Sequence, residues 1–249
     1  MNNVKKDNLI DFLQVKNATE NSVDLYFYGD IVSSWCGAWD DTDQYPEKVR
    51  DFLKEHENKD INIYINSGGG SVFAGMAIYN MLKRHQGHKT VYVDGLAGSI
   101  ASVIAMVGDR IVVPKNSFIM IHKPLVGVIG NANELREQAE LLDNIEQAII
   151  NVYEDKLVEG ANIEDIKTMV DEETWLNGEE CLQYFNIELA EENKAIAKVD
   201  SEYINKNCKN IPQNINKKVV EEVKNEEQPI ILTNYNLDYY KAKLKMYEM

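Results

Sequence analysis

Short apolar runs alternate with amphipathic segments along most of the chain. The runs predicted to form strands are residues 23–31, 61–67, 90–94, 109–114 and 117–122. Apolar side chains recur at helical spacing in residues 46–58, 72–84 and 99–108. Strands that alternate with helices predict an α/β fold with crossover connections.

The second half of the body is mostly helical in pattern. A long helix is predicted from Asn133 to about Leu157, and shorter helices at 163–170 and 178–185. The long helix has one apolar stripe, formed by Leu135, Ala139, Leu142, Ile145, Ile149 and Val152. One side of this helix should therefore be covered.

Two strand–turn–helix units stand out, at residues 61–82 and 90–107. The first has the turn GGGS (68–71), and in the second we expect GLAG (95–98) to be a tight turn before a helix that starts at Ser99. Backbone N–H groups at the start of each helix would favour nearby negative charge.

A change in composition near residue 190 predicts the domain organisation. We expect an N-terminal segment (1–22), a main domain (23–190) and a C-terminal extension (191–249). Residues 200–228 have few large apolar groups and are typical of a linker. The end, residues 236–249, has a helical stripe that would either dock a partner or pack back on the domain; it contains Leu237, Tyr240, Leu244 and Tyr247.

The formal net charge of −15 argues against a nucleic-acid partner. No apolar run is long enough to span a bilayer, and the N-terminus does not read as a secretion signal. The three cysteines are an odd number without CxxC spacing, which is typical of reduced thiols in a cytoplasmic protein.

Two classes of cofactor site lack the residues they need. GGGS precedes a helix, but no Lys-Ser/Thr pair and no GxGxxG follows, so we expect no nucleotide cofactor. His85 and His88 have no partner at zinc spacing, so we expect no metal and interpret both as loop histidines.

The candidate chemistry is a serine with a histidine. Ser99 stands at a helix start, where following N–H groups would face developing negative charge, and His122 closes the apolar strand FIMIH. A serine hydroxyl needs a base, and imidazole is the usual one. Ser102 lies one turn further on and is interpreted as a packing residue. A carboxylate should orient His122, and the candidates are Asp171, Glu172 and Glu173.

Four motifs in order resemble the Clp protease proteolytic subunit (peptidase family S14). They are INSGGGSVFAG, GLAGSIAS, FIMIHKP and EETWLNGEE, and the resemblance covers about residues 23–190. It implies a ClpP/crotonase-type α/β fold of repeated ββα units and a serine endopeptidase. It also implies Ser99 as nucleophile and His122 as base, with the backbone N–H groups of Gly69 and Ile100 as oxyanion donors. The acid position falls on Glu173, where the family mostly has Asp, and Asp171 is the alternative.

The same resemblance implies partners. We expect a homo-oligomeric ring, heptameric and stacked through the long helix, with polypeptide substrates and no cofactor. The segment YGDIVSSWCGAW (28–39) resembles the corresponding segment of phage head maturation proteases, which trim scaffold and capsid proteins. The alternatives are a degradation subunit that works with an AAA+ unfoldase, a crotonase-type acyl-CoA enzyme, and a non-catalytic ring subunit.

Overall fold

The computed structural model describes residues 21–190 and 208–212. The predicted N-terminal segment up to residue 20 and the predicted terminal helix at 236–249 lie outside the described residues, as does most of the predicted linker. The strands are β1 (Ser22–Phe27), β2 (Asp60–Ser67), β3 (Lys89–Gly98), β4 (Arg110–Pro114), β5 (Phe118–Ile121), β6 (Thr174–Asn177) and β7 (Glu188–Ala190). The helices are α1 (Pro46–Glu55), α2 (Val72–Arg84), α3 (Ile100–Ala105), α4 (Ala132–Glu154), α5 (Ile163–Glu172) and α6 (Gly178–Cys181).

The seven strands form one sheet with the parallel order β1-β2-β3-β4-β7. Strand β3 changes partner along its length. Its first part pairs with β4 at residues 90–92, and its last part pairs with β5 at residues 96–98. Strand β5 also pairs with β6, the antiparallel strand. The end of β3 is therefore held against β5, and this brings Ser99 close to the residue that follows β5.

Alternation along the strands builds the core. In β2, Ile61, Ile63 and Ile65 are fully buried, whereas the residues between them are partly exposed. The buried face packs under α2 and α3, whose Ile78, Leu82 and other apolar residues complete the main cluster. On the other face, three tyrosines stack in a row across β1, β2 and β3; they are Tyr26, Tyr64 and Tyr92. This arrangement confirms the expected α/β fold.

Some local predictions were wrong. GLAG (95–98) is not a turn, because Leu96, Ala97 and Gly98 continue β3 through ladder pairs to β5. Helix α3 consequently begins at Ile100, with Ser99 as its N-cap. The helix predicted at 178–185 ends at Cys181, and the unpredicted strand β6 precedes it.

The long helix α4 lies where the sequence predicted it. Only part of its apolar stripe is buried within one chain. Asn131 and Glu134 form a reciprocal capping box at its start. Ile149 and Val152 are buried, whereas Leu135 is 44% exposed. The N-terminal half thus presents apolar surface to its surroundings. Among the described residues, none of the helices has the length and apolar character required to cross a bilayer.

Candidate active site

Ser99 lies at the junction of β3 and α3 in a constrained backbone conformation. Its φ is 52° and its ψ is −127°, a region that side-chain-bearing residues rarely adopt. Its N–H donates to Met120 O at 2.9 Å, and its carbonyl accepts from Ser102 Oγ at 2.5 Å. The backbone of Ser99 is therefore fixed on both sides, by β5 and by the first turn of α3.

His122 follows the last residue of β5, directly beside Ser99. Its Nε2 lies 2.8 Å from Ser99 Oγ, and its side chain is only 6% exposed. Burial lowers the pKa of His122, and the negative charge of Glu173 partly opposes that effect. A neutral imidazole at neutral pH can accept the hydroxyl proton.

Glu173, the predicted acid position, approaches the other side of His122. Its Oε2 lies 3.9 Å from His122 Nδ1, and its side chain is 11% exposed. Asp171, the alternative, instead pairs with Lys123 at 2.5 Å with a side chain that is 65% exposed. The structure brings Glu173 rather than Asp171 to the imidazole.

Ser99 and Glu173 share an unusual backbone feature. Within the described part of the chain, they are the two non-glycine residues with positive φ, 52° and 55° respectively. Such conformations cost of order 1–3 kcal/mol each and are concentrated at functional sites. The strain therefore coincides with two of the residues singled out from the sequence.

The residues expected to supply oxyanion donors lie next to each other. Gly69 has a φ of +105°, and a Cβ built on it would lie 2.7 Å from Ser99 Cβ and 3.2 Å from Ile100 N. Only glycine fits there. The Gly69 N–H donates to Ser67 Oγ at 3.2 Å, so this expected donor is already engaged. The Ile100 N–H stands in the first turn of α3, where helices lack internal acceptors for their N–H groups.

Ser102 is fully buried, which agrees with its interpretation as a packing residue. Its hydroxyl donates to Ser99 O and lies 2.8 Å from Tyr153 OH. Because its one proton is used on Ser99 O, Tyr153 must be the donor in the second bond. Tyr153 of α4 thus supports the nucleophile through Ser102.

A group of side chains that can bind metal also occurs here. One ligand atom each of His122, Glu173 and Cys208 lies within 4.8 Å of the others. Burial, and then the nearby charge of Glu173, raises the pKa of the Cys208 thiol to about 12. Because zinc binds the thiolate, metal binding at this thiol would have to displace its proton.

Three features of the site were not predicted from the sequence. They are the Ser102–Tyr153 hydrogen bond, the hydrogen bond from Gly69 N–H to Ser67 Oγ, and the contact of residues 208–211 with Glu173. Residues 208–211 lie against Glu173 although they fall in the predicted linker. The donors to the Glu173 carboxylate are backbone N–H groups, which have no sequence signature. Only the apolar Ile211 within this polar stretch could have suggested packing.

Comparison with known proteins gives one consistent result. The family model for Clp protease matches residues 48–189. The chain is 35% identical over 143 residues to the ATP-dependent Clp protease proteolytic subunit of Ligilactobacillus salivarius, covering 56% of this chain and 71% of that protein. It is 34% identical over 133 residues to proteolytic subunit 2 of Mycolicibacterium paratuberculosis, covering 52% and 65%. For the subunit of Bacteroides fragilis the identity is 31% over 129 residues, covering 51% and 61%.

The matched region spans more than half of the chain and contains all the site residues described above up to Glu173. The mixed α/β structure, a sheet with helices, is consistent with the fold of that family. This chain belongs to the Clp protease family of serine peptidases.

Proposed function

We propose that the chain is an endopeptidase that cleaves polypeptides through an acyl-enzyme at Ser99. The observation that carries this proposal is the 2.8 Å contact between Ser99 Oγ and His122 Nε2. A serine hydroxyl at this distance from a neutral imidazole is activated as a nucleophile. Glu173, on the far side of the ring, would hold the imidazole orientation and stabilise its protonated form.

The reaction has two halves. Ser99 Oγ bonds to the peptide carbonyl carbon while His122 Nε2 takes the hydroxyl proton. The tetrahedral intermediate then breaks its C–N bond, and the amine leaves with the proton from His122. In the second half a water gives a proton to His122 and attacks the ester carbon. The Oγ–C bond breaks, and His122 returns the proton to Ser99.

Developing negative charge on the carbonyl oxygen needs donors. The Ile100 N–H, adjacent to Ser99 and at a helix start, is suited to this role. The Gly69 N–H would join it by giving up its 3.2 Å contact with Ser67 Oγ. Loss of one such donor typically raises the barrier by about 3 kcal/mol.

Fluorophosphonate labelling tests the proposal. Wild type and Ser102→Ala should each gain one label per chain by intact mass, because Ser102 Oγ is buried against Tyr153. Ser99→Ala should gain none, and His122→Ala should lose labelling by at least about 10³-fold, since the hydroxyl loses its base.

Two results would count against this assignment. Label on Ser99→Ala would place the nucleophile elsewhere. An unlabelled wild type that is folded and oligomeric would favour the non-catalytic ring subunit.

We further propose that the chain forms rings that stack through α4 and the segment leading into it. An apolar run before this helix is exposed in the single chain, and two leucines of the helix are exposed as well; they are Leu125, Val126, Val128, Ile129, Leu135 and Leu141. An exposed apolar patch of this extent is typical of an interaction surface. The expected ring is a heptamer, which rests on the family resemblance.

The substrate class we propose is a capsid or scaffold protein cut during phage head assembly, which rests on the resemblance of the segment YGDIVSSWCGAW. The second candidate is a degradation subunit, and the names of the relatives, ATP-dependent Clp protease proteolytic subunits, favour it. Cleavage of folded substrate that requires ATP and an unfoldase would decide for the second candidate. We place either activity in the cytoplasm, which the three unpaired cysteines support.

A further inference from the structure

A short piece of the C-terminal extension lies on the candidate catalytic acid. We call residues 208–211 the clamp segment. The Lys209 N–H donates to Glu173 Oε1 at 2.6 Å, and the Asn210 N–H donates to the same oxygen at 2.7 Å. Two short bonds from consecutive backbone donors to a carboxylate are charge-assisted and directional. They fix one carboxylate oxygen and leave Oε2 facing His122.

The clamp segment also holds the backbone of the acid. Asn210 Nδ2 donates to Glu172 O at 2.8 Å and approaches Glu173 O at 3.3 Å. These carbonyls stand at the end of α5, where helices lack internal donors for their last carbonyl groups. The side chain of Asn210 therefore caps the helix from which Glu173 projects.

Apolar contacts anchor the segment beside this polar contact. Cys208 and Ile211 pack with Leu96, Met120 and Trp175 in a second small cluster. Leu96 and Met120 alternate with Ala97 and Ile119 of the main core, so this cluster lies on the opposite face of the sheet. The segment is thus attached to the strands that hold Ser99 and His122.

The bonds from the clamp segment restrict a carboxylate that would otherwise be free to move. The glutamate side chain of Glu173 has one more rotatable bond than an aspartate, so its carboxylate has more freedom. Its contact with His122, 3.9 Å, exceeds hydrogen-bonding distance and cannot fix the carboxylate by itself. We propose that the clamp segment is a positioning element of the active site, which holds Glu173 toward His122 through the N–H groups of Lys209 and Asn210. This inference rests on the proposed function.

The direction of its effect can be measured at His122. Within the described residues, the titratable side chains that face this ring are Glu173 and Cys208, whereas Lys123 is turned to Asp171. Among these, Glu173 is the charge that favours protonated His122. If the clamp segment is released, the carboxylate leaves the ring more often, so protonation of His122 becomes harder and catalysis slower.

Lys209→Pro and Lys209→Ala form a matched pair, because only the first removes the backbone N–H. We expect the rate of fluorophosphonate labelling to fall about 10- to 100-fold in Lys209→Pro, the order caused by misplacement of a catalytic group by about 1 Å. The acid-side midpoint of the pH–rate profile should also move to lower pH. Lys209→Ala should keep both values. In the Glu173→Gln background, Lys209→Pro should leave the midpoint where Glu173→Gln sets it.

The opposite result has a defined meaning. If Lys209→Pro raises the rate and moves the midpoint to higher pH, the segment is an inhibitor that keeps Glu173 from His122, and our inference is wrong. Equal rates and midpoints for Lys209→Pro and Lys209→Ala also overturn it. Failure of the proposed function looks different, since wild type itself would then take no label.

Hydrogen exchange tests the contact independently of activity. Amide exchange in residues 208–211 of the full chain should be at least about tenfold faster in Glu173→Ala than in wild type, because the charged acceptor is lost. Glu172→Ala is the control, since only the backbone carbonyl of Glu172 contacts Asn210. Equal exchange in wild type and Glu173→Ala would show that Glu173 does not hold the segment.

Discussion

His122 combines two opposing influences on one ring. Burial favours its neutral form and the charge of Glu173 favours its protonated form, and burial is the larger effect. In the folded protein its pKa therefore lies below the ordinary value of 6.5. Only the neutral ring can take the proton of Ser99, so activity is present above the folded pKa and lost below it.

This predicts the pH dependence of labelling. The acid-side midpoint of the fluorophosphonate rate should lie below pH 6.5, and Glu173→Gln should move it lower still, because the charge that favours protonation is gone. The rate of Glu173→Gln should also fall, on the order of 10⁴-fold as for the acid-to-amide change in serine-protease triads. A midpoint above 6.5 in wild type would contradict this account.

Stability should follow the same titration. The unfolded chain binds a proton at His122 more readily than the folded chain does, since the folded pKa is lowered. The lowered pKa of His122 therefore costs no stability above about pH 6.5. As the pH falls from there toward the folded pKa, it reduces the free energy of unfolding.

The sequence indicates the positions of Ser99 and His122, because Ser99 begins an apolar helical run and His122 closes an apolar strand. It is less informative about the acid. Asp171, Glu172 and Glu173 stand in one acidic run, and side-chain type does not separate them. The left-handed backbone at Glu173 ends α5, and glutamate gives no signal for that conformation. Family resemblance, rather than local pattern, selected residue 173.

At the level of elements, the close approach of α2 and α3 depends on Gly75. A Cβ built on Gly75 would lie 2.2 Å from Ile100 Cγ1, well inside contact distance. Ile100 is buried and supplies the N–H proposed for the oxyanion. The glycine in α2 therefore sets the position of the first turn of α3.

Gly75→Ala should consequently destabilise the protein by about 1–3 kcal/mol through overpacking, although alanine is the better helix former. Ile100→Ala alone should cost about 2–5 kcal/mol. Because removal of the Ile100 branches makes room for the new methyl, the double variant should be more stable than the sum of the two costs predicts. Urea unfolding at one fixed protomer concentration measures all three, and strict additivity would refute the steric explanation.

The prediction of secondary structure failed where small residues form part of a strand. GLAG contains two glycines and an alanine, a composition that ordinarily indicates a turn. In the structure these residues lie between two neighbours, with Ala97 paired to Ser67 on one side and Ile119 on the other. Pairing of this kind is a tertiary effect, and a pattern along one chain does not show it.

At the scale of the whole molecule, the exposed apolar surface of α4 leads to a prediction about the stacking of rings. Leu141 in α4 is 41% exposed and Leu182 after α6 is 40% exposed. Leu141→Lys should break ring stacking and lower the mass in sedimentation velocity to that of single rings, since it puts a charge on a covered apolar surface. Leu182→Lys, the same change at equal exposure, should leave the mass of wild type. If Leu141→Lys sediments like wild type, α4 does not stack the rings.

The position of the clamp segment in the chain also has a consequence for the order of events on the ribosome. Lys209 is 36 residues beyond Glu173. At a synthesis rate of 5–20 residues per second, the two N–H donors are made roughly 2–7 s after the carboxylate they hold. For that interval Ser99, His122 and Glu173 all exist in the nascent chain while Glu173 still lacks these donors. The last support of the acid is therefore made only once the first 20 residues of the C-terminal extension (191–249) have been translated.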